Sequence, residues 1–297
     1  MTGELTVALL AQAIASAFAA GAALLLLLTL LPATRSVARQ LWRVLGSEAV
    51  ILAVGVLPWL LPQHALMGLL LAGAGRIGFE SGTVHGLTTR RHFRMSYALL
   101  LVAAAAISWL APTVIFLWVT AALFAAALAI AASTSNTSLV GSLARFTIFP
   151  LLPLAAFSHV ASEPRLAPLL VLAFFLVEMF DSFSLLGGKL YGCTPLVPRL
   201  SPRKTWEGLG TGIAAVLLTI LVLTAWLGLP LAQMLGAGAV VVAAAIAGDL
   251  LGSRAKRRAG VKDYPPVMNV QGGLLDIADA WLVAGPCLAG AALIITR

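Results

Sequence analysis

Charge is what this chain has least of. Asp, Glu, Lys and Arg make up 10% of its 297 residues, where a soluble globular domain carries roughly a quarter. That deficit excludes an ordinary water-soluble fold. Cysteine is nearly absent as well. Cys193 and Cys287 form neither a disulfide framework nor a metal-ligand pattern, and both are expected as free thiols. The four histidines, His64, His85, His92 and His159, lie far apart, with none at ligand spacing. A histidine dyad or a histidine metal site is therefore not expected. Acidic residues number eleven against nineteen Lys and Arg, a net charge of +8. In a chain this apolar, such an excess belongs in cytoplasmic loops beside anionic headgroups, so nucleic acid is not an expected partner.

What replaces the charge is Ala, Leu and Val in long runs. The chain is 61% hydrophobic and its mean hydropathy is +1.01. Runs of about 20 such residues cross a bilayer as helices, because a helix satisfies its own backbone hydrogen bonds in lipid. Ten segments can be drawn, near 6–31, 49–62, 64–75, 97–111, 113–132, 143–161, 166–186, 208–228, 231–251 and 276–295. The expected fold is all-α and polytopic, with about ten transmembrane helices. The first run has no basic region before it and is too long for a signal-peptide core, so it is read as an uncleaved first span. The second and third are short and share the turn Leu61-Pro62-Gln63-His64, as a hairpin or a partly re-entrant pair.

Alternate threading places loops 32–48, 76–96, 133–142, 187–207 and 252–275 on one side. These loops and their margins hold 17 of the 19 Lys and Arg residues, all except Arg165 and Arg297. That asymmetry assigns them to the cytoplasm. The expected location is the plasma membrane, multi-pass, with the site facing the cytoplasm. Asn136-Thr137-Ser138 fits a glycosylation sequon, but on the cytoplasmic side it would stay unmodified.

Because carboxylates are scarce, their positions carry information. Glu178, Asp181, Asp249, Asp276 and Asp279 all fall within spans or at their cytoplasmic ends. A carboxylate at membrane depth costs a few kcal/mol and is usually paired, metal-bound or functional. Asp276 and Asp279 share one helix face at i, i+3 spacing, and Asp249 ends the preceding span at the same level. Three carboxylates at one level suit a hard divalent cation such as Mg2+. The alternative is ion pairing with Arg254, Lys256 or Arg257. Beside them lie Ser253, Lys256, Arg257, Arg258, Lys262, Asp263 and the pair Gly272-Gly273. Lys and Arg clamp phosphates, and paired glycines let backbone N–H groups approach an anion. Carboxylates interleaved with phosphate clamps are the parts of phosphoryl or nucleotidyl transfer.

A second dense stretch runs Ser201-Pro202-Arg203-Lys204-Thr205-Trp206-Glu207-Gly208. Its hydroxyls and lysine suit a triphosphate or a lipid phosphate. The plainer alternative is a helix start with Thr205 as its N-cap. The stretch Gly73-Ala74-Gly75-Arg76-Ile77-Gly78 matches GxGxxG, but it follows a hydrophobic span instead of a strand. The dinucleotide reading therefore fails, and close packing or a helix end is expected.

Gly248-Asp249, Ser253-Arg254-Ala255-Lys256-Arg257, Lys262-Asp263, Gly272-Gly273, Asp276 and Asp279, in that order, resemble the signature of the CDP-diacylglycerol synthases (phosphatidate cytidylyltransferases). The octet Ser201–Gly208 is similar to that family's other hallmark, and Asp181 with Gly188-Lys189 and Gly192 to a third element. Arg43 to Glu80 resembles the family's opening hairpin. There are departures: Gln271 stands where the family has His, Ile277 where it has Arg, Asn269-Val270 where it has Pro-Gly, and Phe183-Ser184-Leu185 where a Tyr-containing stretch is usual.

The resemblance implies transfer of a cytidylyl group from CTP to phosphatidate, with release of pyrophosphate. It implies Asp249, Asp276 and Asp279 as ligands of Mg2+, with a second cation left open. It implies Lys262 and Asp263, with those three carboxylates, as catalytic residues, Lys256, Arg257 and Lys262 as phosphate clamps, and Gly272 and Gly273 as substrate-binding. Ser201, Lys204, Thr205, Glu207 and Asp181 would position substrate. The implied partners are CTP, phosphatidate or a related lipid phosphate, and membrane lipids; a homodimer is left open. The domains expected are 1–42, an extra N-terminal helix and basic linker; 43–165, membrane helices; and 166–297, the catalytic region. The alternatives are a CTP-using enzyme for another lipid phosphate or polyprenol, and a non-catalytic membrane paralogue.

Overall fold

The structure, a computed structural model, describes residues 5–32, 35–85, 91–134, 138–198, 200–267 and 272–295. Eleven α-helices run through them: α1 Val7–Leu30, α2 Arg35–Val56, α3 Gln63–Val84, α4 Arg91–Leu110, α5 Thr113–Ser133, α6 Leu139–Phe146, α7 Leu152–Ala161, α8 Ala167–Tyr191, α9 Trp206–Leu227, α10 Leu231–Arg258 and α11 Leu274–Ile295. Among the described residues eight helical stretches are long and apolar enough to cross a membrane. The chain is a multi-pass, essentially all-α membrane protein.

Two of the ten expected spans fall short of that criterion, for a reason visible in their sequences. The apolar runs at 49–62 and 64–75 are the cores of α2 and α3. Each helix has 22 residues, and each is completed by polar turns, Arg35–Arg43 in one and Arg76–Glu80 in the other. A second departure is a short antiparallel hairpin in the expected loop 187–207. Its strands are β1 (Pro195–Val197) and β2 (Ser201–Thr205), with Pro195 opposite Thr205 and Val197 opposite Ser201. The expected span 143–161 is interrupted: α6 and α7 are separated by a kink at Phe149, whose φ/ψ of −154°/123° is extended, followed by Pro150.

The chain divides into two compact units, neither continuous in sequence. One comprises Met1–Leu60, Ala167–Ala244 and Cys287–Arg297; the other comprises Leu61–Leu166 and Ala245–Pro286. In the first, α8 packs along α9 and α1 along α2. The α8–α9 contact is close because Gly212 lies against Phe180 and Ser184. Glu178 of α8 hydrogen-bonds Glu48 of α2, with Asp181 in electrostatic reach.

In the second unit α3 packs along α4, and α4 along α7. Gly78 explains the GxGxxG match: a Cβ there would strike the backbone of Tyr97 and Ala98. Its lack of a side chain serves helix packing, as expected of small residues in membrane helices. The His85 carbonyl at the end of α3 accepts from Tyr97 Oη (3.0 Å) and from Ser142 Oγ. That end also reaches the start of α11 through Glu80. Among the described residues, the end of α3, the start of α6 and the start of α11 therefore lie at one end of this unit.

Candidate active site

The site is built where α10 ends and α11 begins, both within the second unit. The end of α10 is set by Gly260, whose φ of +71° is the left-handed conformation that closes a helix. The Val261 N–H donates to the Lys256 carbonyl and the Gly260 N–H to the Arg257 carbonyl. The Arg257 guanidinium turns back to the Val261 carbonyl at 3.0 Å. Arg257, Lys262 and Asp263 are exposed on this closing turn, with Lys262 and Asp263 3.9 Å apart.

Asp276 is the hub. Its Oδ1 accepts from Lys256 Nζ at 2.5 Å, and both side chains are nearly buried, 11% and 8% exposed. Its Oδ2 accepts from the backbone N–H groups of Tyr264 (2.8 Å) and Gly273 (2.9 Å). Asp276 sits in the first turn of α11, where the positive end of the helix dipole favours an anion. Reaching back to the N–H three residues earlier is the carboxylate half of a capping box. Gly272 has φ +83°, a conformation that other residues rarely adopt, and it swings the chain so that the Gly273 N–H points at Asp276. The glycine pair thus presents an N–H to a carboxylate, as expected in kind, but the carboxylate is the protein's own.

Asp279 lies one helical turn further on and is buried at 5% exposure. Gly248 and Gly252 of α10 make room for it. A Cβ on Gly252 would come within 2.7 Å of Asp279 Oδ2, and one on Gly248 would overlap the Asp279 carbonyl. The carboxylate is thereby held against the turn of α10 that carries Asp249, which is half-buried.

Glu80, distant in sequence, completes the site. It is fully buried. Its Oε1 accepts from Arg76 Nε (2.6 Å) and the Leu274 N–H (2.9 Å), and its Oε2 from the Leu275 N–H (2.8 Å). These are orphan donors of the first turn of α11, which every helix must satisfy by some means. Arg76 in turn donates to the Pro265 carbonyl at 2.9 Å. Burial pushes the Glu80 carboxyl up, against the downward pull of those N–H groups and Arg76. Tyr264 is 1% exposed, its ring 5.4 Å from Lys256 Nζ, and its hydroxyl has no hydrogen-bond partner among the described residues. Burial first, then the charges of Asp279, Asp276 and Glu80, hold its phenol well above the usual tyrosine range.

Among the described residues no group of three or more His, Cys, Asp or Glu is disposed to hold a metal ion. At Asp276 the alternative of ion pairing, with Lys256, is what the structure holds. The donor chemistry still suits a hard cation, since all three carboxylates offer oxygen. A cation at Asp276 would compete with Lys256 for Oδ1.

The expected substrate-positioning residues of the octet belong to the first unit. Thr205 is the N-cap of α9, its Oγ1 accepting from the Gly208 N–H at 3.1 Å, so the plainer reading of that hydroxyl holds. Glu207 Oε2 accepts from the N–H groups of Cys193 and Thr194, each at 3.2 Å, and ties the hairpin to α9. Ser201 and Lys204 lie on β2, and Asp181 is exposed on α8. Of the departures, Ile277 is on α11 with its carbonyl accepting from Trp281 Nε1 at 2.6 Å. Gln271 and Asn269-Val270 lie outside the described residues. Tyr264 and Arg76 were not singled out from sequence. Glu80 was marked only as the end of a hairpin, and its scarcity as one of eleven acids was the available signal.

Residues 41–294 match the model of the cytidylyltransferase family. The chain belongs to that family. The cytidylyltransferase match spans α10, α11 and the hub between them. Over 107 residues the chain is 37% identical to a protein named phosphatidate cytidylyltransferase 5, chloroplastic, from Arabidopsis thaliana, a match covering 35% of this chain and 27% of that one. Over 111 residues it is 37% identical to the phosphatidate cytidylyltransferase of Mycobacterium tuberculosis (strain ATCC 25618 / H37Rv), covering 32% of each. A third relative of that name, from Rickettsia bellii (strain RML369-C), is 28% identical over 162 residues, 52% of this chain and 70% of its own. The chain thus spans about a third or less of the length of the first two relatives.

Proposed function

We propose that this cytidylyltransferase-family chain transfers the cytidylyl group of CTP to phosphatidate, giving CDP-diacylglycerol and pyrophosphate. A phosphate oxygen of the lipid forms a bond to the α-phosphorus of CTP, and the bond from that phosphorus to the β-phosphate bridge breaks. The acceptor arrives as a phosphate dianion, so no proton has to be removed from it. The wide spacing of the four histidines in the sequence is consistent with such a step.

The observation that carries the reading is the buried Lys256–Asp276 pair between the end of α10 and the start of α11. Lys256 is held in a water-poor place where an ammonium acts strongly on a phosphate. Arg257 and Lys262, exposed on the adjoining stretch, are free to swing onto the triphosphate, Arg257 by giving up its bond to the Val261 carbonyl. Asp249, Asp276 and Asp279 would hold Mg2+, which supplies neutralisation of the phosphate charges. The site faces the cytoplasm of a plasma-membrane protein, in keeping with the basic loops around it.

The test is transfer of radiolabel from CTP into lipid by the purified, reconstituted chain, with a panel of lipid phosphates as acceptors. Label in CDP-diacylglycerol that requires phosphatidate supports the proposal; no lipid-soluble label with any acceptor sinks it. Ile277, in the place of a family Arg, favours a second reading in which another lipid phosphate is preferred, and the panel decides between the two.

A further inference from the structure

The end of α10 has two polar faces. Successive residues of a helix are about 100° apart, so Asp249, Gly252, Ser253 and Lys256 share the face turned to the carboxylate hub. Leu251, Arg254, Ala255 and Arg258 share the opposite face. That second face lines a cavity of about 360 Å3 within the same unit, a volume within the roughly 300–1,000 Å3 of small-molecule sites. Arg145 of α6 joins Arg254 and Arg258 there, with Ser142 and His85 beside them. The sequence had grouped Arg258 with the phosphate clamps of the hub; the fold turns it away from them.

We infer that this cavity is a separate site for the phosphate group of an anionic phospholipid, held by Arg145, Arg254 and Arg258. Among the described residues no carboxylate pairs with Arg254 or Arg258. Three like charges around one cavity repel, and an anion placed between them relieves the repulsion. The guanidinium fork matches phosphate oxygens in geometry as well as charge. His85 adds a polar atom: it is 7% exposed and its Nε2 is buried with no hydrogen-bond partner. Burial, then the charges of Arg145 and Arg258, lower that imidazole to about 3. At neutral pH it therefore stands ready to hydrogen-bond without adding charge.

The remaining wall says what kind of phosphate. Leu128, Ala131 and Ala132 of α5, with Ile148 and Phe149 at the kink, make it apolar. Leu128 is 52% exposed on a helix apolar enough to lie in lipid, so the cavity adjoins the acyl region. A free anion has no use for such a wall, whereas a glycerolipid lays its acyl chains along it. Basic pockets between helices on the cytoplasmic side are a general means of holding anionic headgroups. Nothing in this inference depends on what the Lys256–Asp276 hub does.

The experiment measures binding of dioctanoyl phosphatidylglycerol to the purified full chain in phosphatidylcholine nanodiscs. As a phosphodiester this lipid is no acceptor for cytidylyl transfer, so it reports on the cavity and not on the hub. The wild-type chain should bind it in preference to dioctanoyl phosphatidylcholine, and R254Q/R258Q should weaken binding by about tenfold or more. R254K/R258K, which keeps the charge but loses the fork, should recover part of the affinity and controls for misfolding. Equal binding by wild type and R254Q/R258Q would overturn the site. Inorganic phosphate binding to the same arginines with no preference for the lipid would overturn the lipid as its occupant.

Discussion

Replacing Glu80 by alanine should release the start of α11. Glu80 is fully buried and accepts three hydrogen bonds, from Arg76 and from the Leu274 and Leu275 N–H groups. Truncation leaves a partly buried guanidinium and two helix-end donors without that acceptor. Removing one member of a buried charge pair costs about 3–5 kcal/mol, which is roughly a 140- to 3,700-fold change in an equilibrium at 1.4 kcal/mol per tenfold. Arg76 is 37% exposed, so water re-solvates part of it and the lower end of that range is expected. Glu80→Gln keeps a carbonyl oxygen but turns an amide N–H toward one of the donors, and about half the loss should remain. Hydrogen exchange on the detergent-solubilised chain reads the effect directly. Protection of the amides in 272–276 should fall by about two orders of magnitude in Glu80→Ala, while that of α9, in the other unit, stays as in wild type. Protection within about threefold of wild type would refute the assignment of Glu80 as the cap of α11.

Asp276→Asn should reduce CTP-dependent turnover by at least about 100-fold, since it removes the carboxylate facing Lys256 and the charge available to a cation. The double change Asp276→Asn with Lys256→Met should recover thermal stability without recovering turnover, because it removes the unpaired ammonium; recovered turnover would contradict the role of the pair. The raised pKa of Tyr264 means that the folded chain keeps this proton after the unfolded chain, near 10.0, has lost it. Tyr264 therefore contributes stability below that pH, lost as pH rises further; unfolding midpoints should fall above about pH 10, and less so in Tyr264→Phe. Cys193 is exposed in loop 187–207. In a Cys287→Ala background a membrane-impermeant maleimide should label it only from the cytoplasmic face, and labelling from outside would reverse the orientation.

The parts of this site that were legible in the sequence are local. Asp276 and Asp279 share a helix face because their spacing says so, and Lys256 stands near the end of α10, the helix that precedes theirs. The glycines of the GxGxxG match were legible as packing residues because their context excluded a strand. The sequence marks only 49–62 and 64–75 of the two 22-residue helices α2 and α3, because hydropathy sees the apolar core of a helix and not its polar turns. Glu80 was illegible as a cap, because nothing in periodicity ties it to amides 194 residues away. Tyr264 was missed for a similar reason: an aromatic in a Pro-rich loop gives no sign of burial against three carboxylates. Arg258 was misplaced because a basic run shows charge but not the two faces into which a helix sorts it.

The link between residue 80 and residues 274 and 275 also sets a schedule. A ribosome adding about 5–20 residues per second needs roughly 10 to 40 seconds to make the intervening chain. Throughout that interval the Glu80 carboxylate has Arg76, four residues away, but not the amides it will finally hold. Its pairing with Arg76 is available from the first moment, since both lie on one helix. The early pair gives the acid a partner until the last helix arrives to claim it.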